Sequence, residues 1–157
     1  MAEFRGACEV ASTMTDRAGM SNQKRVYVDM VGDLFHSGHV SLLKEAREFG
    51  DYLMVGVLSD EVVASYKRRP IMSLAERIAV IEACRYVDEV LPDAPYRVTR
   101  DFLDRHDIAL VVHGDDIMPE VVEEIFGEVS AAGKLRLVSY TQGISTTELI
   151  TRCRMAR

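Results

Sequence analysis

His36 and His39 flank a serine and a glycine in the stretch Asp33-Leu34-Phe35-His36-Ser37-Gly38-His39. Neutral imidazoles supply N–H donors without a fixed full charge. Gly38 removes a side chain that would hold a ligand off the backbone. The stretch comes directly after an apolar run, Val26–Val31, and directly before an amphipathic one, so it reads as a turn from a strand into a helix. In an open α/β sheet, ligands bind at that end of the strands. A helix N-terminus there presents free N–H groups and a partial positive charge, and so attracts phosphate. The predicted ligand is therefore a polyphosphate, and the predicted chemistry is transfer at phosphorus. A lone histidine at a strand end would be an ordinary satisfied polar residue; the pair around a glycine is more specific. A metal centre fits less well, because no third ligand follows at a suitable spacing.

Three further clusters carry polar chemistry. Gly143-Ile144-Ser145-Thr146-Thr147 opens another helix, whose N–H groups and hydroxyls can hold phosphate oxygens. Ser145 is also a natural N-cap, and the two roles are compatible. Lys67-Arg68-Arg69 is a basic cluster in an acidic chain; taken alone it reads as a solvated loop. Gly114-Asp115-Asp116 follows an apolar run and reads equally well as an ordinary turn.

The elements that must position these residues alternate between strand and helix. Arg25–Met30 is a predicted strand, and Ser37–Phe49 a helix with Val40, Leu43 and Ala46 on one stripe. Tyr52–Leu58 is nearly all apolar, as in a strand covered on both faces. Asp60 is the expected cap of a short helix through Ser65. Ser73-Leu74-Ala75-Glu76 is a capping box opening a helix that turns Ile78, Ile81 and Cys84 inward. Strand Val87–Leu91, a helix near Arg97–His106 and strand Ile108–His113 follow. Next come a helix with Pro119 in its first turn and Gly133 at its end, and strand Leu135–Ser139. A second capping box, Ser145-Thr146-Thr147-Glu148, opens the last helix, which runs through Cys153. The expected architecture is α/β, a Rossmann-like three-layer sandwich around a five-stranded parallel sheet of order 3-2-1-4-5 with right-handed crossovers. Residues 1–24 read as a disordered extension and 25–157 as a single domain.

Composition narrows the function. A chain of 157 residues with 48% apolar content can bury a core of its own. A net charge of −6 argues against nucleic acid as a partner. Cys8, Cys84 and Cys153 are odd in number and form no C-x-x-C pair, which points to a reducing cytoplasm. No apolar run reaches spanning length, so no membrane partner is expected.

The histidine stretch resembles the H-x-G-H motif of the nucleotidyltransferase superfamily, which includes cytidylyltransferases, adenylyltransferases and class I aminoacyl-tRNA synthetases. Gly143–Thr147 narrows the choice, for it resembles the R-T-E-G-I-S-T-T segment of cytidylyltransferases. Tyr140 stands where that segment opens with arginine, and Gln142 where it has an acid. Cys84-Arg85-Tyr86-Val87-Asp88-Glu89-Val90 is similar to a segment of choline-phosphate and ethanolamine-phosphate enzymes. Gly114-Asp115-Asp116 looks like the G-D-D of glycerol-phosphate enzymes. Ala64–Pro70, Val112–Asp116 and Tyr140–Ser145 together look most like the cytidylyltransferases of phosphonate biosynthesis, domains often fused to a phosphoenolpyruvate mutase. The resemblance runs from about Arg25 to Arg152.

The resemblance implies a CTP-dependent cytidylyltransferase that moves CMP onto a small phosphonate, 2-hydroxyethylphosphonate or 2-aminoethylphosphonate, and releases pyrophosphate. A phosphate monoester acceptor (phosphoethanolamine, phosphocholine or glycerol 3-phosphate) is the alternative. An adenylyltransferase and a non-catalytic nucleotide-binding module are the rivals. His36, His39 and Lys67 become the catalytic residues. Val31, Gly32, Asp33, Phe35, Gly38, Arg85, Asp88, Gly114, Asp115, Gly143, Ile144, Ser145, Thr146 and Thr147 become nucleotide-binding residues. Lys67, Arg68 and Arg77 become acceptor-binding residues. Magnesium is expected to arrive with CTP rather than in a protein cage. A homodimer is implied by the resemblance.

Overall fold

The computed structural model describes residues 23–156. Most of the extension expected over residues 1–24, with Cys8, lies outside the described residues. The elements run β1 (Arg25–Met30), α1 (Ser37–Arg47), β2 (Tyr52–Val57), α2 (Asp60–Tyr66), α3 (Leu74–Glu82), β3 (Glu89–Pro92), α4 (Arg100–Arg105), β4 (Ile108–Gly114), α5 (Pro119–Ala131), β5 (Leu135–Val138) and α6 (Thr146–Met155). The five strands pair in parallel in the order β3-β2-β1-β4-β5, as expected. β1 is central, and the chain reverses its winding between β1 and β4, where ligands collect in such sheets.

The strand period of two divides the core. Val26, Val28 and Met30 point to one face of the sheet and pack with Leu43 and Ala46 of α1 and Ile81 of α3. Tyr27 points to the other face and packs with Phe102 and Leu103 of α4 and Ile125, Phe126 and Val129 of α5. Asp29 falls on the Tyr27 side of the alternation, a carboxylate near the end of a strand whose residues from Val26 are otherwise apolar.

Helix and strand ends depart from the sequence in ways that local hydrogen bonds explain. α2 is capped by the Ser59 hydroxyl, which accepts from Val62 N, and not by Asp60. Asp60 is instead paired with Arg77. α4 begins only at Arg100, because Thr99 accepts from Phe102 N and sets the first turn there. β3 begins at Glu89, since Val87 N turns back to the Cys84 carbonyl. The box at Ser73 is complete. The one at Ser145 is half made: its hydroxyl accepts from Glu148 N, but the Glu148 carboxylate pairs with Arg152.

Candidate active site

A cavity of about 830 Å³ opens at the carboxyl ends of β1, β2 and β4. Both histidines and the start of α6 line it. The two turns are tied directly: Thr146 Oγ1 donates to the Asp33 carbonyl at 2.9 Å. The expected convergence of paired imidazoles and a second helix N-terminus is therefore present.

The histidines cap their own helix, which the sequence reading missed. His36 is the N-cap of α1, and its Nδ1 accepts from Gly38 N at 3.2 Å. His39 Nδ1 accepts in return from His36 N at 3.1 Å. This is a capping box made of two imidazoles. Because each Nδ1 acts as acceptor, each neutral ring carries its proton on Nε2. The rings lie 3.9 Å apart between centroids. Burial lowers the His36 pKa. Burial, then the neighbouring His36 and Lys67 charges, push His39 down to about 4. Near neutral pH the pair is two uncharged N–H donors lining the cavity.

Gly32 enters this turn at φ +69°, and a Cβ on it would come within 2.6 Å of Ile81. A side chain there would be both strained and crowded. Leu34 also has positive φ, 49°, so the turn is tightly wound.

Asp33 lines the cavity, but its carboxylate is taken up by protein donors. It is 4% exposed and fully engaged. It accepts from Arg68 Nη2 at 2.9 Å, Ile71 N at 3.0 Å and Met72 N at 3.0 Å. Burial alone would raise its pKa; the Met72 and Ile71 amides and the Arg68 guanidinium outweigh that and hold it below the usual carboxylate range. Asp33 thus straps the loop carrying Lys67 and Arg68 to the histidine turn. Lys67 and Arg68 both line the cavity. Partial burial, then Arg68, lower the Lys67 pKa.

Other expected residues divide. Val31, Gly32, Asp33, Gly38, Gly114, Ser145, Thr146 and Thr147 line the cavity. Gly143 and Ile144 shape the second turn without lining it. Phe35 stacks on the His39 ring at 5.3 Å and packs into the core, so it supports the imidazole and does not touch the cavity. Asp115 holds Tyr140 N through Oδ1 at 2.8 Å, a turn strut outside the lining. Arg77 is wholly buried and donates to the Val31 and Leu58 carbonyls and to Asp60, so it cannot reach an acceptor. Asp88 accepts from Leu53 N at 2.7 Å near the amino ends of β2 and β3. Arg85 is exposed in the same approach to β3. Both lie at the opposite end of the strands from the cavity.

The wall that the sequence reading missed is made by Asp29, Tyr66, Tyr96, His113 and Asp116. Asp29 is 7% exposed, and its Oδ1 makes no hydrogen bond. Burial raises its pKa, against the lowering charge of His113. Tyr66 and Tyr96 face each other at 5.2 Å between ring centroids. Burial, then the Asp29 charge, raise the Tyr66 phenol, which puts the ring in the field of that carboxylate. A carboxylate inside the apolar run Val26–Val31 was the available signal for this wall.

A family model described as cytidylyltransferase-like matches residues 32–152. The chain belongs to the cytidylyltransferase-like family. The ethanolamine-phosphate cytidylyltransferase of Dictyostelium discoideum is 43% identical over 129 residues, which cover 82% of this chain and 36% of that protein. The choline-phosphate cytidylyltransferase A of Rattus norvegicus is 41% identical over 132 residues, 82% of this chain and 36% of the relative. The chain thus spans about a third of the length of these cytidylyltransferases. Among solved structures, a lipopolysaccharide core biosynthesis protein from Thermoplasma volcanium is similar with a TM-score of 0.62 and 23% identity, covering 78% of this chain and 99% of the other. A pantothenate synthetase from Thermus thermophilus reaches 0.53 at 16% identity, covering 78% and 57%. These two likenesses concern the fold alone. For the cytidylyltransferase-like family, the match spans the histidine turn, the turn that opens α6 and the lysine loop between them.

Proposed function

We propose that this chain carries a CTP-dependent cytidylyltransferase activity whose acceptor is a phosphate monoester of a small amino alcohol, with phosphoethanolamine first. The observation that supports it is the composition of one cavity: the histidine turn, the α6 turn and Lys67, whose ammonium lies 5.6 Å from the Tyr66 ring, share it with the Tyr66–Tyr96 pair and with Asp29, a buried carboxylate whose Oδ1 makes no hydrogen bond. A polyphosphate suits the two turns and Lys67. An ammonium suits Asp29, since it offers N–H donors and a charge to the carboxylate. The ethanolamine-phosphate and choline-phosphate relatives favour the same acceptor class. The phosphonate acceptors expected from sequence therefore give way to the phosphate monoesters.

The chemistry follows from the groups present. An acceptor phosphate oxygen attacks the α-phosphorus of CTP, and the bond to the β-phosphate oxygen breaks, releasing pyrophosphate. The acceptor oxygen is anionic near neutral pH, so no strong base is needed. Alignment and stabilisation of the charge on the phosphoryl oxygens carry the rate. His36 and His39 donate Nε2–H to the transferred group. Lys67 bridges acceptor and nucleotide, and the α6 amides with Ser145 and Thr147 hold the triphosphate tail. Among the described residues no three His, Cys, Asp or Glu side chains cluster as a metal site. The donor set fits magnesium held by the nucleotide phosphates, where it would neutralise their charge.

Phosphorus NMR with CTP, magnesium and a panel of phosphoethanolamine, phosphocholine, glycerol 3-phosphate, 2-hydroxyethylphosphonate and 2-aminoethylphosphonate tests the proposal. The expected result is pyrophosphate release with CDP-ethanolamine formed fastest. Faster turnover of a phosphonate would replace the acceptor; no CTP consumption with any member would overturn the activity.

A further inference from the structure

Helix α6 carries no buried residue, so the turn that opens it leans largely on polar ties. Thr146 Oγ1 reaches Asp33 O, and Arg152 Nη2 reaches Gly143 O at 3.2 Å. The third tie is the Tyr140 hydroxyl, which donates to the Ile144 carbonyl at 3.1 Å across Gly143, whose φ is +81°. Tyr140 is itself anchored at its other end. Its N–H donates to Asp115 Oδ1 at 2.8 Å, and Asp115 N donates to Val138 O at 2.8 Å. A chain of hydrogen bonds therefore runs from the ends of β4 and β5 through Tyr140 to the second turn.

That turn also touches the first one. A Cβ built on Gly38 would lie 3.3 Å from Ile144 Cγ2 and 3.0 Å from the His36 ring, so Ile144 sits against the histidine turn. Holding the Ile144 carbonyl thus sets the spacing between the two phosphate turns. We propose that Tyr140, which itself lines the cavity, is a positioning residue which fixes this spacing through its hydroxyl. A neutral tether does this work at the position where the resembled motif opens with a cation.

The inference rests on the polyphosphate reading of the cavity. Its test uses the full chain and inorganic tripolyphosphate, followed by calorimetry, with CTP and acceptor kinetics beside it. Tyr140→Phe keeps the ring and loses the tie. It should weaken tripolyphosphate binding and raise KM for CTP about three- to tenfold, the weight of one hydrogen bond. KM for the acceptor should stay unchanged, and so should the salt dependence of binding, because no charge is lost. Asp115→Ala should behave like Tyr140→Phe. Asp115→Asn, which keeps an acceptor for Tyr140 N, should stay near the parent protein. Unchanged tripolyphosphate affinity in Tyr140→Phe would overturn the inference, as would equal rises in both KM values. Failure of the parent protein to bind tripolyphosphate would overturn the polyphosphate reading itself, and this inference with it.

Discussion

Replacing Asp33 with asparagine separates a strap from a nucleotide ligand. The carboxylate holds the Lys67 loop through Arg68, Ile71 and Met72. Asparagine keeps one oxygen and can still accept from the Met72 and Ile71 amides. It places an NH₂ where Oδ2 now meets Arg68 and shares Ile71 N. One charge-assisted bond, worth about 1.5–3 kcal/mol, is lost. Arg68 is 44% exposed and regains water, which discounts the loss to about 2 kcal/mol. For a domain of this size that corresponds to a fall of about 4–8 °C in Tm. Lys67 is no longer held over the cavity, so kcat should fall about tenfold or more while KM for CTP changes little. Limited proteolysis should show faster cleavage between Lys67 and Met72. Asp33 is stabilising in its ionised form, because its folded pKa lies below the unfolded value. That stability is present above about pH 4 and is lost as pH falls through the folded pKa; the asparagine variant should lose this acid dependence. A variant with unchanged Tm and loop protection but a large rise in KM for CTP would refute the reasoning and return Asp33 to the nucleotide.

Other substitutions and titrations test the remaining assignments. Arg77→Ala leaves Asp60 and two carbonyls without their buried partner and should cost about 3–5 kcal/mol of stability; denaturant melts check this, and a selective rise in acceptor KM at full stability would contradict it. His39, with a folded pKa of about 4, favours the neutral form, so its contribution to stability is full above about pH 6.5 and is lost as pH falls toward 4. An NMR titration of its ring protons should show no protonation between pH 8 and about pH 5. Asp29→Asn removes the charge of a desolvated carboxylate, so it should raise Tm by a few degrees, about 2–4 °C, while cutting kcat/KM for phosphoethanolamine about a hundredfold. A drop in both quantities would assign Asp29 to the scaffold.

Much of the fold was legible because apolar runs and capping residues repeat at the strand and helix periods. Arg25–Met30, the Ser73 box and Pro119 placed elements to within a residue or two. The sheet order followed from strand–helix alternation. The histidine pair, Lys67 and the Ser145 turn were legible as a site because their types and their places before helices agree. Arg77 and Asp88 lie away from the cavity, and the Asp33 carboxylate is engaged within it; the sequence reading named all three for a common reason: charged side chains that tie backbone groups resemble ligand contacts until their partners are known. Arg77 is spent on two carbonyls and an aspartate, Asp88 on Leu53 N, and Asp33 on the loop after α2. Tyr66 and Tyr96 come from segments thirty residues apart, and only the packed chain brings their rings together.

The central claim is that the histidine turn and the α6 turn grip one triphosphate. An NMR titration of the isotopically labelled chain with CTP and magnesium tests it most directly, following the His36 and His39 ring nitrogens together with the Ser145, Thr146 and Thr147 amides. The probes of all five residues should shift along a single binding curve with one Kd. Movement of one set without the other, or two different midpoints, would contradict the account.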